Sequence, residues 1–243
     1  MKRQALTGAF LAALLLLSCL PALAQSPAGM KLYVFTSGSL GGFPKGALQI
    51  GGQGNIDWAP VSFYVITHPK GNVMFDTGNN DKTITDPDGW WGPLAKGFGL
   101  KMTQNDEMKA AWWPDPGYSV YYIPGDFADT KKVNMIRLNG DLDLFGDKSV
   151  EFRRAPGHTP GSQFAIVRLP KTGTVLLTSD VVYLKESLDK NLIPPIPGTW
   201  SPGAMYDSYQ KLRVVRDGEG ASIFYGHDPD VFKATKQAPA FYE

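Results

Sequence analysis

The chain has 243 residues and nearly balanced charge, with 24 Lys and Arg against 23 Asp and Glu and a formal net charge of +1. This balance excludes the basic footprint of a nucleic-acid-binding protein, and the length predicts one domain. A single cysteine excludes an intrachain disulfide. Three histidines limit any imidazole-rich metal site to three such ligands.

Residues 1–24 have the pattern of an export signal, with a positively charged start, an apolar run over 9–17 and a small-residue cleavage site ending at Ala24. The apolar run is too short and wrongly flanked for a membrane span. We expect cleavage after Ala24, a periplasmic or secreted protein, and one domain over 25–243. A lipoprotein anchor on Cys19 is a less favoured alternative. Because Cys19 lies inside the signal, the mature domain has no thiol that could bind zinc.

The first half of the domain contains three β-rich runs, at 31–35, 61–67 and 73–76. The second and third are separated by the turn signal at 69–72, and this arrangement predicts a β-hairpin. The segment 38–54 is rich in glycine and poor in charge, which predicts a loop or a hairpin.

The second half alternates short β-rich runs with one amphipathic helix. The helix is predicted over 203–216, because Met205, Tyr209 and Leu212 recur at the spacing of one helical face. Two strand-rich halves, each with a helix near its end, predict a layered α/β or α+β fold. The remaining predicted elements are a helix at 105–113 and strands at 133–138, 149–155, 164–169, 174–178 and 222–225.

Three polar segments directly follow predicted strands. His158 lies in Pro-Gly-His-Thr-Pro-Gly-Ser, Asp180 ends Thr-Ser-Asp, and His227 lies in Gly-His-Asp. Neutral imidazole and carboxylate suit zinc and similar ions, and the neighbouring glycines permit tight bends. The glycine-rich segments lack the spacing and the lysine of a phosphate-binding loop, and no Gly-x-Ser-x-Gly element of a serine hydrolase is present.

These three segments, together with Phe-Asp-Thr-Gly at 75–78, occur in the order found in the metallo-β-lactamase superfamily. Within that superfamily the chain most resembles the N-acyl-homoserine-lactone hydrolases, over most of residues 31–235. The resemblance implies an α+β fold, an αββα sandwich with a metal site at one edge of its sheets. It also implies a metal-dependent hydrolase that opens the ring of a small-molecule lactone or ester substrate.

The same resemblance assigns roles to five residues. It implies that His158 and His227 each bind one of two Zn²⁺ ions and that Asp180 bridges them. Asp76 is implied to be a second carboxylate that holds the site in place. Tyr183, three residues after Asp180, matches the position of a tyrosine that lies over the substrate carbonyl. Its phenol would donate to the developing oxyanion and then help to protonate the leaving alkoxide.

One feature of this family is missing from the chain. The signature His-x-His-x-Asp-His needs three histidines in addition to His158 and His227, whereas the chain has three in total. The spacing indicates a deletion with its junction between Asp106 and Met108, which removes one strand and one helix from the N-terminal half. We therefore expect at most one firmly bound Zn²⁺, impaired hydrolysis, and self-association through exposed sheet edge.

Several alternatives remain open. The chain could be a catalytically inactive remnant or a binding protein, or a thioester or ester hydrolase of the same superfamily. His68 is predicted to be an ordinary turn residue at a hairpin tip. Asp180 could instead cap a following helix, and Tyr183 could be a packing residue. The aromatic run at 90–113 predicts either a wall for an acyl chain or a satellite core.

Overall fold

The computed structural model describes residues 26–76, 138–196 and 198–243. Predictions that fall elsewhere lie outside the described residues: the export signal, the helix at 105–113, the strand at 133–138 except its last residue, the aromatic run at 90–113 and the deletion junction.

Five strands form the N-terminal part of the fold: β1 (Lys31–Leu40), β2 (Phe43–Pro44), β3 (Asn55–Ile56), β4 (Ala59–Thr67) and β5 (Val73–Phe75). β1 pairs antiparallel with β4, and β4 pairs with β5 across the predicted turn, so the predicted hairpin is confirmed. The glycine-rich segment folds back through a smaller hairpin of β2 and β3, also as predicted. β1 continues past Gly38, where the sequence predicts an end, because a bulge between Thr36 and Ser39 lets the pairing resume.

A second sheet contains five strands: β6 (Leu142–Asp143), β7 (Val150–Arg154), β8 (Gln163–Leu169), β9 (Gly173–Leu177) and β10 (Ser222–Phe224). Their order across the sheet is β10-β9-β8-β7-β6. β10 is parallel to β9, whereas each of the other neighbouring pairs is antiparallel. Consequently β7, β9 and β10 all run in one direction and end at the same edge of the sheet.

The main core lies between the two sheets, which pack face to face. Alternate residues of β8 and β9 point into this core, while Ile166 and Leu176 point to the opposite face and pack under a helix. Each fully buried aliphatic or aromatic side chain contributes about 1.5–3 kcal/mol. The buried residues between the sheets include Leu32, Val34, Tyr64, Ile66, Val150, Ala165, Val167, Val175 and Leu177.

Three helices occur in the described part of the chain: α1 (Lys185–Lys190), α2 (Pro202–Glu219) and α3 (Pro229–Ala234). The predicted helix at 203–216 is confirmed as α2, and its predicted apolar face packs on the outer face of the second sheet. Ser201 caps α2 by accepting the N–H of Ala204. The two six-residue helices escaped sequence prediction because they are shorter than two full turns of periodicity. None of these helices combines the length and apolar character of a membrane span.

His68 lies directly after β4, next to the predicted turn, but it is buried there. Its Nδ1 accepts the N–H of Lys70 at 3.0 Å, its Nε2 lies 3.2 Å from Oδ2 of Asp147, and its ring stacks on Phe145 at 3.8 Å between centroids. These contacts fix the turn that joins β4 to β5.

Polar contacts tie the glycine-rich hairpin to α1. Glu186 accepts hydrogen bonds from Lys45 and from Nε2 of Gln49, the latter at 3.0 Å. The fully buried Gln49 also accepts the hydroxyl of Ser187 at 2.8 Å. Hydrogen bonds from Lys190, Lys45 and Gln49 hold the pKa of Glu186 at about 2, below the usual range of a glutamate.

We predict that Glu186→Gln flattens the acid dependence of stability. A carboxylate with a lowered folded-state pKa stabilises the protein above its unfolded pKa, near ~4.3, and loses that contribution as pH falls toward the folded value. Between pH ~5 and ~2 the variant should therefore lose about 0.5–1 kcal/mol less unfolding free energy than the parent, a modest figure because Glu186 is partly exposed. Urea titrations across this range measure the difference. Asp207→Asn, which removes an exposed charge of α2, is the control, and parallel curves for all three proteins would contradict the prediction.

Candidate functional site

The edge where β7, β9 and β10 end brings three of the predicted site residues together. Nε2 of His227 lies 3.0 Å from Oδ1 of Asp180, and Nε2 of His158 lies 3.6 Å from Oδ2 of the same carboxylate. His227 is buried, whereas 37% of the Asp180 side chain is exposed. One carboxylate is thus shared by two imidazoles.

Backbone carbonyls fix both imidazole rings from behind. Nδ1 of His227 lies 2.8 Å from the carbonyl oxygen of Pro60, and Nδ1 of His158 lies 2.8 Å from that of Gly198. A carbonyl oxygen can only accept, so each Nδ1 carries a proton and donates it. Both Nε2 atoms therefore face Asp180. Sequence patterns cannot indicate these two carbonyls, because every residue type carries one.

The electrostatics of the site favour an ionised Asp180. Burial alone would raise the pKa of Asp180, but the hydrogen bond from His227 and the charges of His227 and His158 outweigh it and hold that pKa at about 2. Burial likewise lowers the pKa of His227, yet its contacts with Asp180 and Pro60 produce a net increase. These contacts favour the protonated imidazole of His227 beside the ionised Asp180.

Tyr183 lies between the two histidines. Its hydroxyl oxygen is 3.1 Å from Nδ1 of His158, and its ring centroid is 5.1 Å from that of His227. Its carbonyl oxygen accepts the N–H of His227 at 3.0 Å. The ring also packs with Leu184 against the glycine-rich hairpin, so Tyr183 combines the packing role and the site position that the sequence left as alternatives.

Asp76 reaches the site indirectly. It follows β5 and accepts the hydroxyl of Ser179 at 2.7 Å, and Ser179 in turn precedes Asp180. Asp76 and Ser179 both have left-handed backbone conformations, with φ of 64° and 45°, which store strain in residues other than glycine. A Cβ on Gly226 would lie 2.5 Å from the carbonyl oxygen of Ser179, so only glycine fits there. Sequence reasoning missed Ser179, although its place beside Asp180 was a signal.

Asp180 does not cap a helix, which corrects one of the alternatives. It lies in a single 3₁₀ turn, Ser179–Val181, whose N-terminal residue Thr178 makes no side-chain capping bond. The next helix, α1, begins only at Lys185. Asp180 is therefore available to the histidines because no backbone N–H of a following helix engages it.

The donor set suits a divalent cation. Histidines that bind metals usually donate their other ring N–H to a carbonyl or a carboxylate, as His158 and His227 do. Imidazole nitrogen and carboxylate oxygen are ligands that zinc accepts. Within the described residues, no group of three or more His, Cys, Asp or Glu is arranged as a ready metal cage. The three residues form two pairs that share Asp180, and together they would hold a cation.

Comparison with known proteins identifies the class. No protein-family model matches the chain. The N-acyl homoserine lactonase AttM of Azorhizobium caulinodans is 30% identical over 263 aligned residues, which cover 88% of this chain and 99% of that protein. An N-acyl homoserine lactone hydrolase with the product N-hexanoyl-L-homoserine bound at its catalytic metal centre matches with a TM-score of 0.65 and 19% identity, over 87% of this chain and 98% of the other. The dizinc quorum-quenching lactonase AidC matches with a TM-score of 0.53 and 14% identity, over 88% and 93%.

The two packed sheets and these structural matches show an α+β fold of the metallo-β-lactamase type, as predicted. Within it, the chain belongs to the N-acyl homoserine lactonase family.

Proposed function

We propose that this chain is an exported, metal-dependent hydrolase of the lactonase type by descent, for N-acyl homoserine lactone-like substrates, and that its activity is impaired because its metal site is reduced to His158, Asp180 and His227. The observation that carries the proposal is the meeting of these three residues with the Tyr183 hydroxyl at one sheet edge, in a chain of the lactonase family. Export rests on the signal pattern at 1–24.

Zinc is the cation we propose, because a structural neighbour is named a dizinc lactonase and another holds a lactone-derived product at a metal centre. His158, Asp180 and His227 would hold it. When bound, zinc polarises a carbonyl and lowers the pKa of its water toward ~7.

The residues of the chain would orient the ligands, supply negative charge and transfer the proton. The carbonyls of Pro60 and Gly198 keep the Nε2 atoms of the two histidines directed toward Asp180. Asp180 stays ionised at neutral pH and supplies negative charge to both pairs. Tyr183 would donate a hydrogen bond to the carbonyl oxygen as negative charge develops and would then transfer its proton to the alkoxide released when the ring opens. The proton released by the attacking water would restore the phenol. Lactone and water together give a hydroxy acid.

A second candidate, an inactive remnant or binding protein, is favoured by a different observation. The family signature with its extra histidines is absent from the sequence. The alignment with AttM spans 263 residues, more than the 243 of this chain, which supports a segment in the relative that has no counterpart here. The proposed function therefore includes lactone turnover close to background for the chain as it stands.

We predict at most one firmly bound Zn²⁺ per chain. Three ligands from two pairs cannot hold two ions tightly, whereas three protein ligands and water suffice for one. Elemental analysis after dialysis of the zinc-supplemented protein gives the stoichiometry. His158→Ala and His227→Ala should each abolish firm binding, and His68→Gln, which changes the histidine paired with Asp147, should not. Two tightly retained ions would show that other residues replace the missing signature.

We predict that inserting the signature segment of a relative between Asp106 and Met108 brings lactone hydrolysis from near background to a measurable rate. In that restored protein, Tyr183→Phe removes one donor to the oxyanion and should lower turnover by about 10²-fold or less, since the metals would also stabilise the oxyanion. Asp180→Asn should cost more, because it weakens both pairs. A panel of lactones, esters and thioesters is assayed for product release, with and without a chelator.

Two results would contradict parts of the proposed function. Chelator-sensitive lactone hydrolysis by the unmodified chain would show that the missing signature is not needed. A restored chain that binds two metals and hydrolyses only thioesters or esters would move the function to that alternative.

A further inference from the structure

Asp228 is a buried carboxylate that the proposed chemistry does not use, although it belongs to the Gly-His-Asp segment. Its two oxygens bind different helices. Oδ1 accepts the N–H groups of Asp230 and Val231, at 3.1 and 2.9 Å, in the first turn of α3. Oδ2 accepts the N–H of Lys185, the first residue of α1, at 2.8 Å. One side chain thus satisfies backbone donors at the N-terminal ends of both short helices.

Each of the two helices begins two residues after a site residue. Asp228 is adjacent to His227, and Lys185 follows Tyr183 by two positions. Main-chain bonds already connect these segments, from the N–H of His227 to the carbonyl of Tyr183 and from Gly226 to Val182. The bond from Asp228 to Lys185 extends this pairing beyond the two site residues. Hydrogen bonds therefore join the two segments on both sides of Tyr183 and His227.

The short helices need such an anchor. Each has six residues, fewer than an isolated helix needs to persist in water. A carboxylate at a helix N-terminus is favoured by the unsatisfied N–H groups and the helix dipole. Here one negative charge interacts with two such ends. Any movement of either helix start would be transmitted to Tyr183 or to His227 through one or two peptide units.

We propose that Asp228 is a positioning residue, which sets the spacing between Tyr183 and His227 by binding the N-terminal ends of α1 and α3 through one carboxylate. The inference rests on the proposed function only in treating Tyr183 and His227 as site residues. An ordinary helix cap would do less, because it would stabilise α3 alone and leave α1 and Tyr183 unaffected.

The two interpretations differ in what removal of the Lys185 N–H does. Lys185→Pro deletes that donor without replacing Asp228 or any residue of α3. Proline is well tolerated at the first position of a helix, and the extended backbone of Leu184, with φ −125° and ψ 148°, is compatible with a following proline. Lys185→Ala is the matched control, because it removes the same side chain and its ion pair with Asp189 while keeping the N–H.

The first measurement is the set of ring ¹⁵N resonances of the three histidines, in long-range ¹H–¹⁵N spectra of metal-free full-length protein at one fixed pH. Lys185→Pro should shift the resonances of His227 and leave those of His68, which pairs with Asp147, in place. Lys185→Ala should shift neither. The second measurement is Co²⁺ affinity by titration of the visible spectrum, where the proline variant should bind about 10-fold more weakly than the alanine variant.

Asp228→Asn gives an independent check. Asparagine caps a helix as well as aspartate does, but its amide has one acceptor oxygen and cannot serve both helices. It should reproduce the His227 shift. If Lys185→Pro matches Lys185→Ala in both measurements, or if Asp228→Asn leaves His227 unchanged, Asp228 is an ordinary cap and the inference is wrong. If no variant and no parent binds Co²⁺, the metal site of the proposed function fails, while the ring resonances still decide the role of Asp228.

Discussion

The contact of one carboxylate with two imidazoles determines how the rest of this structure is organised. Asp180 must lie within reach of His158 and His227, although the three residues come from distant parts of the sequence. The shared direction of three strands brings these residues together. Because β7, β9 and β10 run the same way in one sheet, the segments after them emerge at one edge. The topology of the sheet therefore brings the three site residues together without any ligand.

The N-terminal sheet of β1, β4 and β5 completes the site from the opposite side. The carbonyl of Pro60, near the start of β4, orients His227, and Asp76, after the end of β5, holds the turn of Asp180 through Ser179. Antiparallel pairing of β4 and β5 places these two residues at the same edge. The apolar core between the sheets therefore fixes the distance between the imidazoles and the groups that orient them.

Much of this could be predicted from sequence, for identifiable reasons. The strand β8 contains a continuous apolar run and the helix α2 carries a helical apolar pattern. His158, Asp180 and His227 lie in short polar segments directly after strands of the same sheet. The carbonyls of Pro60 and Gly198 could not be predicted, because the backbone leaves no mark on residue type. Neither could α1 and α3, whose six residues depend on tertiary contacts rather than on local propensity.

Zinc-edge anomalous diffraction from crystals grown with zinc tests the central claim most directly. We predict one strong anomalous peak per chain, about 2.0–2.2 Å from Nε2 of His158, from Nε2 of His227 and from an oxygen of Asp180, with the Nδ1 atoms still bound to their carbonyls. A peak coordinated by residues elsewhere in the chain, or zinc-loaded crystals with no ordered peak at Asp180, would contradict it.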